Sequence, residues 1–170
     1  MKNRKGFTLI ELLAVITILG ILMLVGIPAV SRIIENSRRD SMADTIKAAQ
    51  KAVSNAIAAD NIACGTGDTK VSATVAGQDY YIPVAEIKEL MESGDLKSSW
   101  GGSELTGYIL WNKNAATLQI TYKAKIADSN NHGMTEELEI SQIKRTAIKP
   151  NGASAVADPS SATKCKADIN

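Results

Sequence analysis

Residues 5–30 read KGFTLIELLAVITILGILMLVGIPAV, and this run determines most of what the sequence predicts. Between Phe7 and Val30 the only polar side chains are Thr8, Glu11 and Thr17. As an α-helix, Phe7–Val30 would extend about 36 Å, which is enough to cross a hydrocarbon core of roughly 30 Å. The run therefore predicts a single membrane-spanning helix.

The charges before the run predict its orientation. Lys2, Arg4 and Lys5 precede the apolar residues, and cationic flanks stay on the cytoplasmic side of a membrane. The rest of the chain is then exported. The net charge is +1, so removing these three cations would leave 1 − 3 = −2. This balance excludes a strongly basic nucleic-acid binder, and no nucleic-acid partner is predicted.

A secretory signal peptide is the alternative interpretation of the N-terminus, because it also joins a basic segment to an apolar one. Three features count against it. The apolar run exceeds the roughly 7–15 residues of a signal-peptide core. The pattern continues directly into a long polar helix, and Glu11 lies within the first two turns of the run.

Glu11 is the residue that a simple membrane anchor leaves unexplained. A carboxylate without a partner at a membrane costs up to a few kcal/mol, depending on depth. If cleavage after Gly6 exposes the amine of Phe7, Glu11 of a neighbouring copy neutralises that cation. In a low dielectric such a pair fixes the register between copies, because either charge alone is expensive.

The segment Lys5-Gly6-Phe7-Thr8-Leu9-Ile10-Glu11-Leu12-Leu13 resembles the processing signature of type IV prepilins and pseudopilins. In that family a membrane peptidase cuts after the glycine and N-methylates the new first residue. The resemblance implies cleavage between Gly6 and Phe7, methylation of Phe7, and an assembly role for Glu11. The implied partners are this peptidase/N-methyltransferase, membrane lipid, the inner-membrane assembly platform, and further copies or other pilins.

The function implied is that of a structural subunit. Its precursor would lie in the cell membrane, and its mature form in an extracellular pilus filament of the kind that serves cell adhesion, twitching motility or DNA uptake. A minor pilin, or a pseudopilin of a type II secretion or DNA-uptake machine, is the close alternative. A membrane-anchored monomeric binding module is the distant one.

Beyond the apolar run, the helix is predicted to become amphipathic. Met42, Ile46, Ala49, Val53 and Ala56/Ile57 recur at spacings of three and four, with charged residues on the other faces. One continuous helix is expected over Phe7–Ile62. Gly20, Gly26 and Pro28 are its weak points. At Gly26 and Pro28 we favour a local hinge over a static kink.

The remaining residues predict short strands and turns. The expected elements are a strand over Val71–Val75, a helix from Pro83 to Glu92 ended by Ser93-Gly94, strands Tyr108–Trp111 and Leu118–Tyr122 around an Asn112–Asn114 turn, and a turn over Asp128–Gly133. Residues 134–148 suit either a strand or a helix, and we favour a strand. The tail Pro150–Asn170 is expected to follow the surface.

The predicted fold class is α+β, with a long N-terminal helix, half transmembrane and half amphipathic, packed on a small antiparallel sheet as in the pilin fold. We divide the chain into a leader (1–6), a transmembrane and assembly helix (7–30), the amphipathic half of the helix (31–62), and a globular head with its C-terminal tail (63–170).

Cys64 and Cys165 are the two cysteines of the chain. In a reducing cytosol they would stay free thiols, whereas in an exported domain a bridge is the better interpretation. The closed loop would span 165 − 64 = 101 positions. By the loop-entropy model it would contribute up to ~4–5 kcal/mol.

A second, weaker resemblance to pilin and pseudopilin heads lies at Leu90, Gly94, Leu96, Trp100 and Gly101. Some secretion pseudopilins bind calcium nearby. Here Ser98-Ser99 stands where an Asp-Pro pair is common, so we predict no metal site.

Catalytic chemistry is not predicted either. His132 lies in an Asn-Asn-His-Gly turn and is expected at the surface, and Cys64 has no evident base partner. Trp100 and Trp111 are expected to pack in the core or in turns. We predict no cofactor and no enzymatic activity.

Overall fold

The fold is α+β: a long N-terminal helix precedes a small, mostly antiparallel sheet. A computed structural model describes residues 6–71, 75–91, 96–153 and 156–169. The chain divides into two compact units, one ending at Ser37 and the other beginning at Arg38. A single helix, α1 (Leu9–Ala58), runs through this boundary, which confirms the predicted continuous helix but ends it four residues earlier.

Within its described residues, the second unit adds nine strands and one further α-helix to the end of α1. The strands are β1 (Ile62–Cys64), β2 (Thr69–Lys70), β3 (Asp79–Pro83), β4 (Leu105–Lys113), β5 (Ile120–Asp128), β6 (Gly133–Met134), β7 (Leu138–Glu139), β8 (Ile148–Lys149) and β9 (Thr163–Ala167). Helix α2 (Val84–Leu90) follows β3. Their order in the sheet is β2-β1-β9-β3-β4-β5-β6-β8, with β7 paired to β5.

The second half of α1 supplies one side of the core. Its buried residues are Met42, Ala43, Ile46, Ala49, Val53 and Ala56. Their spacing of one, three or four residues puts them on one stripe of the helix. They share a hydrophobic cluster with sheet residues such as Ile82, Ile109 and Trp111. The predicted apolar stripe is therefore confirmed, as is the core position predicted for Trp111.

The central hairpin, β4 and β5, is confirmed and is longer than predicted. Its antiparallel register pairs Trp111 with Tyr122 and extends as far as Leu105 and Asp128. The predicted Asn112–Asn114 turn is wrong in position, because Asn112 and Lys113 belong to β4. The chain turns over residues 114–119, where Asn114 Oδ1 accepts hydrogen bonds from the backbone N–H groups of Ala116 and Thr117 at 2.8 and 2.9 Å.

The C-terminal strand β9 is the largest departure from expectation. A tail lying on the surface is wrong for Thr163–Ala167, which pairs antiparallel with β1 and parallel with β3. The antiparallel register places Cys165 directly opposite Cys64. Their Cα atoms are 4.0 Å apart, and their sulfurs form a disulfide of 1.99 Å.

Of the other predicted elements, some are confirmed, some are wrong, and some lie outside the described residues. Residues 134–148 form neither one strand nor one helix, but three short strand pieces and the 3₁₀ turns Ile140–Gln142 and Arg145–Ala147. Pro83 ends β3 and precedes α2, close to its predicted position. Most of the predicted strand over 71–75, and the predicted helix stop at Ser93-Gly94, lie outside the described residues.

A polar cluster around Asp128 joins two distant segments of the second unit. The Asp128 side chain is fully buried. It accepts hydrogen bonds from Ser98 Oγ at 2.6 Å and from the backbone N–H groups of Asn130 and His132, both at 2.9 Å. His132 Nδ1 lies 2.8 Å from Asp128 Oδ2, and its ring stacks on Trp100 at 4.8 Å between centroids. His132 lies in the predicted turn, but the cluster leaves its side chain only 18% exposed.

We predict that Asp128→Asn lowers the free energy of unfolding at neutral pH by at least about 1.5–3 kcal/mol, since hydrogen bonds to a buried charge are lost. Burial raises the pKa of Asp128, but the bonds from Ser98, His132 and Asn130 outweigh it, so the pKa lies below its ordinary value of 3.8. A carboxyl with a lowered folded-state pKa stabilises the fold above its unfolded-state pKa, and this stabilisation is lost as the pH falls through the folded-state value.

The free energy of unfolding is measured by denaturant titration of the full chain in detergent, with tryptophan fluorescence as the signal. The titration is repeated across the range of about pH 2–7, in steps of about one pH unit. Below pH 3.8, the free energy of unfolding of the Asp128→Asn variant should fall less steeply with pH than that of the unaltered chain. Asp44→Asn is the matched control, because the Asp44 side chain is 79% exposed and its pair with Lys47 contributes little. Equal effects from the two substitutions would contradict the prediction.

A second prediction concerns Gly107, which adopts φ +119° where β4 pairs with β5. A Cβ at this position would lie 2.1 Å from the backbone oxygen of Lys125, so Gly107→Ala must separate the two strands. Gly102 also has a positive φ, +75°, but a Cβ there meets no atom of the described part of the chain within 4 Å. Gly102→Ala should cost only the conformational strain of about 1–3 kcal/mol. Gly107→Ala should cost clearly more in the same unfolding assay, and equal losses would show that the strands can adjust.

Candidate processing and assembly site

The predicted cleavage site lies in extended chain just before α1. Gly6, Phe7 and Thr8 are exposed and non-helical, and the helix begins at Leu9. A Cβ built on Gly6 meets no atom within 4 Å among the described residues. An exposed segment outside regular structure is the kind of backbone that a peptidase reaches most readily. The basic residues Lys2, Arg4 and Lys5 lie outside the described part of the chain.

Thr8 and Glu11 form a reciprocal cap on the first turn of α1. The backbone N–H and the hydroxyl of Thr8 donate to Glu11 Oε2 at 2.8 and 2.7 Å. In return, the backbone N–H of Glu11 donates to Thr8 Oγ1 at 3.3 Å. This is a capping box, in which an N-cap Thr and the acid three residues later satisfy each other's backbone donors.

The cap changes the interpretation of Glu11. Our sequence analysis treats it as an acid without a partner, whereas the structure pairs it with Thr8 of the same chain. Sequence reasoning missed Thr8, although the spacing Thr8-Leu9-Ile10-Glu11 is itself the signal for a capping box. Both bonds use Oε2, and within the described residues Oε1 accepts no hydrogen bond. One carboxylate oxygen therefore remains for a further donor.

The surface around this cap is apolar on all sides. Phe7 is 85% exposed, and every large hydrophobic side chain from Leu9 to Ile34 is between 47% and 84% exposed. By length and composition α1 is able to cross a membrane. A helix that is hydrophobic all round needs lipid or other apolar helices around it, because a single stripe cannot bury it.

The predicted hinge residues lie within this apolar part of α1. The helix is continuous through Gly26 and Pro28. Proline has no N–H to donate, so the helix carries one hydrogen bond fewer at this point. Ser31 Oγ donates to the carbonyl of Ile27 at 3.0 Å, which adds a side-chain bond beside the weakened turn. The hinge remains a prediction about the chain in other surroundings.

The other candidate residues bear on metal ligation and on polar contacts. Among the described residues, no three His, Cys, Asp or Glu side chains lie close enough to hold a metal ion. Ser98, next to the weaker resemblance, donates to buried Asp128. Around Gly6, Phe7 and Glu11 the structure places an exposed, non-helical peptide bond and a carboxylate on one apolar surface.

The comparison with known families falls on this same segment. Residues 1–27 match the model of the prokaryotic N-terminal methylation motif. No solved structure gives a significant match to the chain. The matched residues include Gly6, Phe7, Thr8 and Glu11 and most of the apolar run. In residues 1–27, the chain therefore carries the N-terminal signature of type IV prepilins.

Proposed function

We propose that the protein is a structural subunit of a type IV pilus filament. Its precursor is cleaved between Gly6 and Phe7, the new N-terminus is methylated, and copies associate through the apolar half of α1. The observation that carries the proposal is the methylation motif of residues 1–27 on a helix that exposes apolar side chains on every face. The exported head and the cytoplasmic leader follow from the cations before the run.

Electrostatics supports the pairing of copies. Cleavage gives Phe7 an ammonium group at the start of an apolar helix, where it has lost its solvent. Glu11 keeps Oε1 available while Oε2 binds Thr8. A Phe7 amine of the next copy that donates to Oε1 forms a buried ion pair, which is costly to break on one side only. The pair sets the axial position of each copy.

The capping box also gives Glu11 a role in a simple membrane anchor, where it stabilises the first turn without any second copy. The two roles make different demands on the side chain. A capping box accepts Glu or Gln at this position, because either oxygen accepts a hydrogen bond. An ion pair requires the charge. Substitutions at Glu11 and Thr8 therefore separate filament assembly from anchoring.

A minor pilin, or a pseudopilin of a type II secretion or DNA-uptake machine, would use the same N-terminal chemistry. The partners proposed in each case are the prepilin peptidase/N-methyltransferase, the inner-membrane assembly platform, and copies of this or other pilins. A filament built mainly of this chain identifies the major subunit. Electron microscopy of surface filaments, with mass spectrometry of their main subunit, makes that distinction.

We predict that the mature chain begins at Phe7 and carries one added methyl group. Gly6–Phe7 lies in exposed chain before α1, so the bond is accessible before the helix begins. N-terminal mass analysis of protein from the membrane or from filaments measures this directly. Cleavage after Ala29 or Ser31 would instead identify the run as a signal peptide.

For assembly, we predict that Glu11→Ala and Glu11→Gln both lose filaments, because removing one partner of a buried ion pair typically costs ~3–5 kcal/mol for each added subunit. Membrane insertion should be unchanged or better, since an expensive charge is gone. Thr8→Ala is the matched control: it keeps the charge and loses the N-cap hydroxyl, at about 0.5–2 kcal/mol. It should still form filaments, in reduced number.

The measurement is the count of filaments by electron microscopy, made after the cleaved chain has been detected in each variant. Abundant filaments from Glu11→Gln would leave capping as the role of Glu11 and remove the ion pair. If cleavage itself fails in the Glu11 variants, the residue acts in recognition by the peptidase.

A further inference from the structure

The C-terminal strand β9 completes the sheet from the inside. It lies between β1 and β3, and in the sheet order it separates these two strands. Cys64 pairs with Cys165 on one side, and Tyr81 with Lys164 on the other. Without β9, both neighbours would present unpaired edges, which readily accept another strand. We call this position between β1 and β3 the slot.

Three polar contacts join β9 and the residue after it to segments beside the slot, namely the turn after β1, strand β2 and helix α2. Lys166 Nζ lies 3.1 Å from Asp68 Oδ1, and the backbone N–H of Ala167 donates to Glu86 Oε2 at 3.1 Å. Asp168 Oδ2 lies 2.5 Å from Lys70 Nζ. These contacts join the strand to segments beside the slot, so they would be the same if the strand came from another copy.

The connection to β9 is long. Residues 150–162 separate Lys149, at the end of β8, from Thr163, at the start of β9, which is 162 − 150 + 1 = 13 residues. Fully extended, a connector of this length spans up to about 43–47 Å. Its contacts include Tyr81 Oη with Asp158 Oδ2 at 3.1 Å and the backbone N–H of Ala153 with the carbonyl of Asn131 at 3.1 Å. The connector is thus long enough to place β9 in a neighbouring molecule.

We propose that, before the Cys64–Cys165 bond forms, the slot accepts the C-terminal strand of a second copy of this chain, and that oxidation then links the two copies covalently. In the oxidation step the two thiols lose two protons and two electrons to a disulfide oxidant. The oxidant leaves as two thiols, and one sulfur–sulfur bond forms between Cys64 of one copy and Cys165 of the other.

Concentration decides which strand fills the slot. A chain's own strand is tethered, so it acts at an effective concentration that is on the order of millimolar for short flexible linkers and lower for longer ones. Dilute protein therefore closes on itself. Copies crowded to a comparable concentration compete for each other's slots, as in domain swapping. The proposal needs crowding alone, and does not depend on the filament proposed above.

The register makes the exchanged link specific. Cys165 is 1% exposed in the slot, while Lys164 and Lys166 on either side of it point to the other face and are exposed. A shift by one residue would bury a lysine, which the sheet opposes. The exchange therefore joins Cys64 to Cys165, and does not join two Cys64 or two Cys165.

The test uses the unaltered full chain in detergent, in normal and heavy-isotope form. Equal amounts are reduced and unfolded together, refolded over a range of protein concentrations, and oxidised with glutathione disulfide. Mass spectrometry of the non-reduced digest then measures the share of Cys64–Cys165 peptides that join one light and one heavy chain. We expect this share to rise with concentration. In the control, where the two forms are oxidised before mixing, it should stay at zero.

Two results would overturn the proposal. One is a Cys64–Cys165 link that stays isotopically pure at every concentration, which shows that only a chain's own strand enters the slot. The other is mixed Cys64–Cys64 and Cys165–Cys165 links as frequent as mixed Cys64–Cys165 links, which shows random oxidation. Neither result bears on the filament counts of the Glu11 variants, so failure here and failure of the proposed function remain distinguishable.

Discussion

The apolar surface of residues 7–34 is the constraint on which the rest of the molecule depends. Its eighteen large hydrophobic side chains are each about half exposed or more. Fully burying one such side chain contributes about 1.5–3 kcal/mol, so covering the surface is favourable by tens of kcal/mol. Contact of this apolar surface with water is therefore strongly unfavourable. Lipid and other copies of the helix are the two covers that chemistry offers, and in the proposed function the chain passes from the first to the second.

In the proposed function, that passage gives a single acid near the start of the helix its role. Between apolar helices, hydrophobic burial does not specify how one helix is positioned along another, because lipid covers the same side chains equally well. A charge pair does specify it. The local bonds from Thr8 hold the carboxylate of Glu11 in place before any partner arrives. An oriented side chain loses less entropy when it binds.

From Arg38 onward the same helix is amphipathic, and one stripe of it is buried in the second unit. The stripe could be predicted because its spacing is a local pattern, and the hairpin because its strands lie close in sequence. The same holds for the first turn, where Thr8 and Glu11 carried a local signal that was overlooked. Strand β9 could not be predicted in this way. Its sequence, Thr-Lys-Cys-Lys-Ala, is polar and short. It becomes a strand because β1 and Asp68, which are about a hundred residues away in sequence, lie beside it in the fold.

The central place of β9 also sets an order of events during synthesis. A ribosome adds about 5–20 residues per second, so the 162 − 31 + 1 = 132 residues between the end of the apolar run and the start of β9 take roughly 7–26 s. The helix can enter the membrane within that interval, while the sheet still lacks its inner strand. In the proposed function, each nascent molecule is then tethered to the bilayer before its sheet is complete. A premature stop codon near residue 160 would leave the anchor intact and the sheet permanently open.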